Sequence, residues 1–221
     1  MEYCSTSDSK YRLNLFSQPY NLPLNLKVNL MPQSPVLKKL LKGNQRYVEG
    51  NSQHRNTSPH ARKKCSTGQS PKVAVLACAD SRVAPEILFD QGLGDLFVTR
   101  VAGNIPNSMI LGSLEYAVEH LGTELILVLG HKRCGAVAAA VSGKALPGHL
   151  PSLTKAIAGA VKKAQKQPGD QVDNAGRENV RRTVKKIRSS KPLLAKKVNK
   201  GKLEVVGAYY DLDSGKVELI P

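Results

Sequence analysis

Cys78-Ala-Asp-Ser-Arg82 directly follows a short apolar run, Lys72–Ala77, and His131-Lys-Arg-Cys-Gly135 follows a second one, Leu125–Leu129. Runs of this length in which apolar residues do not alternate with polar ones are typical of strands that are buried on both faces. Both polar motifs are therefore expected at the carboxyl ends of strands. Because ligands of open α/β sheets bind outside those ends, the two motifs can meet if their strands are neighbours.

The segment between the two motifs predicts a parallel pair of strands. A third apolar run, Leu96–Val101, is followed by Ser108, which we expect to cap a helix, and by Gly122, which lies just past the end of that helix. Apolar residues recur at helical spacing between them: Ile110, Leu111, Leu114, Ala117, Val118 and Leu121. A strand–helix–strand unit implies a parallel sheet. The predicted fold is therefore α/β, with a mostly parallel central sheet flanked by helices.

The remaining elements follow from the same kinds of pattern. Ser34-Pro35 is a typical helix start, and that helix should run to about Glu49. The polar stretch 50–70 should be loop, with a short helical turn around 60–64. Three further helices are expected, over Ala136–Val141, over Leu153–Ala164 and around Val180, Val184 and Ile187. Leu203–Tyr210 and Lys216–Ile220 should form a closing hairpin, which adds a C-terminal antiparallel strand.

The length of 221 residues fits one domain, which we place at 34–221, preceded by a poorly ordered N-terminal extension at 1–33. This extension lacks the features of a secretory signal. Lys10 and Arg12 leave an organelle-targeting role open, although Glu2 and Asp8 weaken that reading. No apolar run approaches the roughly 18 residues of a membrane span, so we expect a protein without one.

The formal net charge of +16 is concentrated in the second half of the chain. The stretch 155–202 holds fifteen basic and three acidic residues, whereas 78–130 holds two basic and seven acidic ones. A solvated surface is the simplest interpretation of the basic stretch. A nucleic-acid-binding module with a structural zinc is the alternative, but the basic stretch contains no aromatic residue to stack on bases.

The four cysteines, Cys4, Cys65, Cys78 and Cys134, are too few for a disulfide scaffold in a chain of this length. We therefore expect a reducing compartment, with the cytoplasm favoured and an organelle or the periplasm left open.

The two motifs together offer the ligands of a zinc ion. Cys78 and Cys134 supply thiolates, His131 an imidazole and Asp80 a carboxylate, and two sulfurs with one nitrogen and one oxygen suit tetrahedral zinc. Asp80 is the replaceable ligand, because Arg82 follows two residues later. Simpler interpretations stay open for each residue alone: a buried strand cysteine, an ordinary Asp80–Arg82 ion pair, or Asp80 capping the helix whose first turn contains Pro85.

These residues resemble the β-class carbonic anhydrases, whose pattern is C-x-D-x-R followed some fifty residues later by H-x-x-C-G. The resemblance extends from about Pro35 to the C-terminus and is close in 94–104 and 114–118. It implies that Cys78, His131 and Cys134 hold one zinc ion per chain, and that Asp80 alternates between this ion and Arg82. Zinc-bound hydroxide would then convert CO₂ to bicarbonate and a proton.

The resemblance also implies a substrate pocket. Gln69 and the amide of Gly135 would contact the substrate, with the glutamine reaching across from a partner subunit, so a homodimer or higher oligomer is expected. Phe97, Ala102 and Tyr116 match positions that line the apolar CO₂ pocket. A relative that hydrolyses carbonyl sulfide or carbon disulfide with the same centre is the alternative enzyme. The chain contains no Trp, so the allosteric bicarbonate site of some members is not expected in its usual form.

Overall fold

The computed structural model describes residues 34–221, which form one compact unit. The expectation of a poorly ordered extension at 1–33 falls outside these residues. A five-stranded sheet in the order β2-β1-β3-β4-β5 organises the unit. Its strands are β1 (Val73–Ala77), β2 (Leu96–Arg100), β3 (Leu125–His131), β4 (Glu204–Tyr210) and β5 (Val217–Ile220). All neighbouring pairs are parallel except β4 and β5, which confirms the predicted mixed sheet and its closing hairpin.

Eight helices of the described residues surround the sheet. They are α1 (Pro35–Val48), α2 (Pro59–Cys65), α3 (Pro85–Leu88), α4 (Ser108–His120), α5 (Gly135–Ser142), α6 (Pro151–Ala164), α7 (Gln171–Arg188) and α8 (Leu193–Asn199). The predicted start of the first helix at Ser34-Pro35 is confirmed, and so is the predicted short helix near residue 60. None of the helices is long and apolar enough to cross a membrane.

The two central strands are buried on both faces because successive side chains point to opposite sides of the sheet. Ala74 and Leu76 of β1 pack with α4, α7 and α8 on one face. Val73, Val75 and Ala77 pack with α1 and the α3 region on the other. This double cover explains why apolar residues fill both strands without alternation.

Helix α7 lies unusually close to the sheet at two glycines. A Cβ added at Gly130 of β3 would come within 2.5 Å of the Val180 side chain, and one at Gly207 of β4 within 2.7 Å of it. Real side chains do not approach that closely, so Val180 occupies space that only glycine leaves free. The contact fixes α7 over the end of β3 that carries His131.

Three details differ from the sequence expectation. Helix α4 is capped by Asn107, whose side chain accepts from the amide of Ile110 over 2.9 Å, and Ser108 is its first helical residue instead. Strand β3 extends two residues beyond Leu129, because Gly130 and His131 continue the pairing with β4. Helix α8 was not predicted, since its seven residues are too short to show a helical period.

Candidate metal centre

The parallel register of β1 and β3 brings the two motifs together. Ala77 pairs with Leu129, so Cys78 leaves β1 beside the segment in which His131 ends β3. The backbone then turns and enters α5, which has Cys134 as its N-cap. The ligand atoms of Cys78, His131 and Cys134 lie within 4.8 Å of one another, and the two sulfurs are 3.8 Å apart. All three residues are buried.

The ring of His131 is oriented by its own turn. Its Nδ1 lies 2.8 Å from the carbonyl oxygen of Lys132. Because a carbonyl oxygen can only accept a hydrogen bond, Nδ1 carries the proton and donates it. The unprotonated Nε2 is buried and has no hydrogen-bond partner among residues 34–221. A buried imidazole nitrogen left without a partner in this way is typical of a metal ligand, whose other nitrogen is normally fixed by a carbonyl or carboxylate.

The pKa values of the two thiols are shifted in opposite directions. The pKa of Cys78 is lowered to about 4, chiefly because the Cys134 thiol donates to its sulfur, while burial opposes this shift. The pKa of Cys134 is raised, because its proton is held by Cys78 and because the group is buried. Two adjacent buried thiolates need a positive charge, and a divalent cation supplies it.

Beside the three ligand atoms lies the Asp80–Arg82 pair. The Arg82 guanidinium donates from Nε to Oδ1 over 2.9 Å and from Nη2 to Oδ2 over 2.8 Å. These bonds hold the pKa of Asp80 well below its usual range. Asp80 Oδ2 is 3.9 Å from His131 Nε2, so the carboxylate lies next to the group of ligand atoms. The alternative that Asp80 caps the next helix is wrong, because Ala84 is the N-cap of α3.

Two residues that support this loop were not predicted from sequence. Arg100 donates from Nε to the carbonyl of Cys78 over 3.0 Å and from Nη2 to that of Asp80 over 2.7 Å. Gly103 donates its amide to the Sγ of Cys78 over 3.2 Å. A signal for Arg100 existed, because Arg82 and Arg100 are the two basic residues of the acidic stretch 78–130.

The expected substrate-contacting residues fall into two groups. Ala102 adjoins Gly103, and Gly135 is the exposed first residue of α5, so both are next to the ligand-bearing segments. Gln69 instead precedes the amino end of β1, at the sheet edge opposite to Cys78. Phe97 pairs with Ala74 near the same end of the sheet, and its ring lies 6.2 Å from that of Tyr116, centroid to centroid.

The donor set fits zinc. Two thiols and one imidazole nitrogen, all buried and within reach of one ion, match the three protein ligands of a catalytic zinc site, with the fourth position left for water. The orphaned Nε2 of His131 supports the fit independently of the sulfurs.

Comparisons with known proteins agree with this geometry. The family model described as carbonic anhydrase matches residues 73–217. Carbonic anhydrase 2 of Mycobacterium tuberculosis is 40% identical over 186 residues, which cover 82% of this chain and 90% of the relative. A carbonic anhydrase of Mycolicibacterium smegmatis is 39% identical over 86% of this chain and 95% of its own.

Solved structures show the same architecture. A β-carbonic anhydrase of Coccomyxa superposes with a TM-score of 0.66 at 27% identity, covering 86% of each chain. The β-carbonic anhydrase CafA of Aspergillus fumigatus gives 0.67 at 26% identity, covering 83% of this chain and 89% of that one. With a matching sequence family, a matching fold and a Cys-His-Cys cluster at the expected sheet edge, the chain belongs to the carbonic anhydrase family, as an enzyme of its β class.

Proposed function

We propose that this protein is a zinc-dependent carbonate dehydratase that interconverts CO₂ with bicarbonate and a proton. Cys78, His131 and Cys134 would hold the zinc ion. The observation that carries the proposal is the buried Nε2 of His131, which lacks a partner among the described residues, in a ring with a nitrogen within 4.8 Å of both sulfurs. The Asp80–Arg82 pair beside this cluster supports a catalytic site over a structural one.

Zinc, when bound, lowers the pKa of a water ligand to about 7 and so supplies a nucleophile at neutral pH. The protein's part is to keep the fourth position accessible. With Asp80 bonded through both oxygens to Arg82, the carboxylate is turned to the guanidinium. Asp80 remains ionised at neutral pH because Arg82 holds its pKa low. An ionised carboxylate only accepts hydrogen bonds, so Asp80 can orient an O–H group at the site.

Gly135 offers a backbone N–H for substrate. It begins α5, where the first amides have no partner within the helix and favour negatively charged groups. Apart from Gly135 itself, its two chain neighbours and the backbone of its own helix, no atom of residues 34–221 comes within 4 Å of the place where a Cβ of Gly135 would stand. This open space suits a small anion such as bicarbonate, and Ala102 contributes a small apolar surface nearby.

Gln69, Phe97 and Tyr116 are proposed to serve the site of a neighbouring subunit. The five residues of β1, about 16 Å long, lie between Gln69 and Cys78, which favours a role for Gln69 outside its own chain's site. The partly buried Phe97 lies in β2, an edge strand of the sheet, and Tyr116 is 49% exposed. The outer edge of β2 is open among residues 34–221, and an open edge beside partly exposed aromatic side chains suits association with a second copy. We therefore propose a homodimer or a higher oligomer.

The proposed location is a reducing compartment, with the cytoplasm favoured. Cys65, Cys78 and Cys134 form no disulfide among residues 34–221, and two of them are the proposed zinc ligands.

The test is stopped-flow CO₂ hydration at pH 7 and pH 8.5, on protein whose zinc content has been measured. We expect about one zinc per chain and turnover at both pH values. Asp80→Asn should keep its zinc, because three ligands remain, and lose most of its turnover. Full zinc occupancy without CO₂ hydration would contradict the proposal, and assays with carbonyl sulfide and carbon disulfide would then test the alternative substrates.

A further inference from the structure

Arg133, between two of the proposed zinc ligands, has a backbone conformation that few residues other than glycine adopt. Its φ is +52°, in the left-handed region, which is unfavourable for a residue with an ordinary side chain. Contacts elsewhere must compensate for this cost. The side chain supplies one such contact, because its guanidinium donates from Nη1 and Nη2 to the two carboxylate oxygens of Asp213, each over 2.8 Å.

The backbone carbonyl of Arg133 is bonded to the Asp80–Arg82 pair. Nη2 of Arg82 donates to this carbonyl over 3.3 Å, and the same nitrogen donates to Asp80 Oδ2 over 2.8 Å. A continuous set of contacts therefore runs from the Asp213 carboxylate through Arg133 to Arg82, and from there to Asp80.

The turn that carries Asp213 is itself well anchored. It joins β4 to β5, and Asp211 accepts from the amide of Asp213 over 2.8 Å and from that of Gly215 over 2.9 Å. Lys132 reaches the same turn, with its ammonium 3.1 Å from Asp211 and its amide bonded to the Tyr210 carbonyl over 2.9 Å. The 131–134 turn is thus held against the β4–β5 turn.

We propose that Asp213 is a positioning residue that acts through Arg133 on Arg82, and so favours the arrangement in which Asp80 is turned away from the zinc position. The inference rests on the proposed function, because it assumes a metal whose fourth position Asp80 can occupy. When Asp213 fixes the side chain of Arg133, the carbonyl of that residue stays aimed at Arg82. Without Asp213, the Arg133 carbonyl is no longer a fixed acceptor for Arg82, and Arg82 holds Asp80 less firmly.

The test compares Asp213→Asn with two matched controls. Asp211→Asn removes the ion pair with Lys132, whose ammonium also lies 3.5 Å from Asp213, but it keeps a side-chain oxygen that can accept from the Asp213 amide and leaves the Arg133–Asp213 pair. Glu124→Gln breaks the equally exposed Lys72–Glu124 ion pair. One readout needs no metal: the ¹H–¹⁵N signal of Arg82 Nε, which reports the bond to Asp80. The other uses cobalt-loaded protein titrated with thiocyanate, an anion that competes with Asp80 for the fourth position.

Asp213→Asn should broaden or shift the Arg82 Nε signal and weaken thiocyanate binding by about two- to fivefold, the range that an exposed ion pair can influence. Both controls should match the wild type, and Asp213→Glu should restore the wild-type values. If Asp213→Asn gives the same signal and affinity as Glu124→Gln, the pair is only a surface contact and the inference is wrong. If the wild type binds cobalt but does not hydrate CO₂, the proposed function fails, while the Arg82 signal still tests the positioning contact.

Discussion

Gly103 donates its backbone N–H to the Sγ of Cys78, so the loop after β2 contacts a candidate zinc ligand that is carried by β1. The loop can come this close because Gly103 has a φ of +75° and no side chain. Its carbonyl in turn accepts from the buried amide of Asn179 on α7 over 2.8 Å. The segment after β1, the loop after β2 and helix α7 are therefore linked at the Cys78 sulfur. The hydrogen bond from the Gly103 N–H stabilises this sulfur in its ionised form.

Gly103→Ala should weaken both the fold and the zinc site. An added Cβ would lie 2.7 Å from Ile157 Cδ1 in a backbone conformation that alanine disfavours. We expect a loss of about 2 kcal/mol in the free energy of unfolding and faster removal of zinc by a chelator. Gly148→Ala is the control, since Gly148 has a φ of +59° but, apart from its chain neighbours, no atom of the described residues within 4 Å of its added Cβ. Equal zinc loss in both variants would show that the Gly103 contact is unimportant.

Replacing any of the three proposed ligands should abolish zinc binding and activity together. Cys78→Ser, His131→Asn and Cys134→Ser each leave two of the three buried ligand atoms, which is too few for tight zinc binding. Metal content by mass spectrometry and CO₂ hydration check this on the same samples. Cys65→Ser is the control, because Cys65 lies outside the ligand cluster. A ligand variant that retains one zinc per chain would contradict the assignment.

Mixed oligomers should reveal whether Gln69 acts across the subunit interface. Gln69→Ala and Cys78→Ser should each have low activity when expressed alone. In a mixed oligomer, the Gln69→Ala chain still has all its proposed zinc ligands, and the Cys78→Ser chain can supply the intact Gln69 to that site. Part of the activity should therefore return. Oligomers purified through two different tags isolate the mixed species. Mixed oligomers with no more activity than the separate variants would place Gln69 in its own chain's site or outside any site.

Asp90 should make stability depend on pH in the acid range. Burial alone raises the pKa of its carboxyl, but the amides of Gln53 and His54 and the Arg46 guanidinium outweigh this and lower it. A lowered pKa in the folded state gives stability that is complete above the unfolded value of about 3.9 and is lost as the pH falls toward the folded value. Asp90→Asn should therefore be less stable by about 3 kcal/mol at pH 7.

Urea unfolding at pH 7, 5, 4 and 3 tests this dependence. The difference between wild type and Asp90→Asn should stay constant from pH 7 to 5 and shrink below pH 4. A difference that persists unchanged at pH 3 would show that Asp90 stabilises the protein by its shape and hydrogen bonds without its charge.

The sequence was sufficient to predict the sheet and the ligand cluster because both depend on local patterns. Fully buried parallel strands contain few polar residues, so β1 and β3 are recognisable, and the residues that follow them mark the carboxyl edge. Strand order was not predictable in the same way. That β1 lies between β2 and β3 depends on the packing of α4 and α7, which no single segment encodes.

Contacts made through the backbone were harder to predict. Arg100 bonds to two backbone carbonyls, which every residue offers, and Gly103 bonds to the Cys78 sulfur through a backbone amide, which almost every residue has. The cap of α4 illustrates a different limit. Asn107 and Ser108 are both good caps, and only the backbone path decides that the Asn107 side chain receives the bond from Ile110.

The pairing of Ala77 with Leu129 has a consequence for how such sites diversify. Cys78 and His131 meet because their strands are hydrogen-bonded neighbours, and the 56 residues from Cys78 to Cys134 include the complete excursion through β2 and α4. The excursion returns to the Cys78 segment at Arg100 and Gly103, so insertions or deletions elsewhere in it can accumulate over evolution as long as those contacts are kept. Recognition of distant relatives should therefore follow the two strand ends together with the residues that close β2, and allow the remaining spacing to vary.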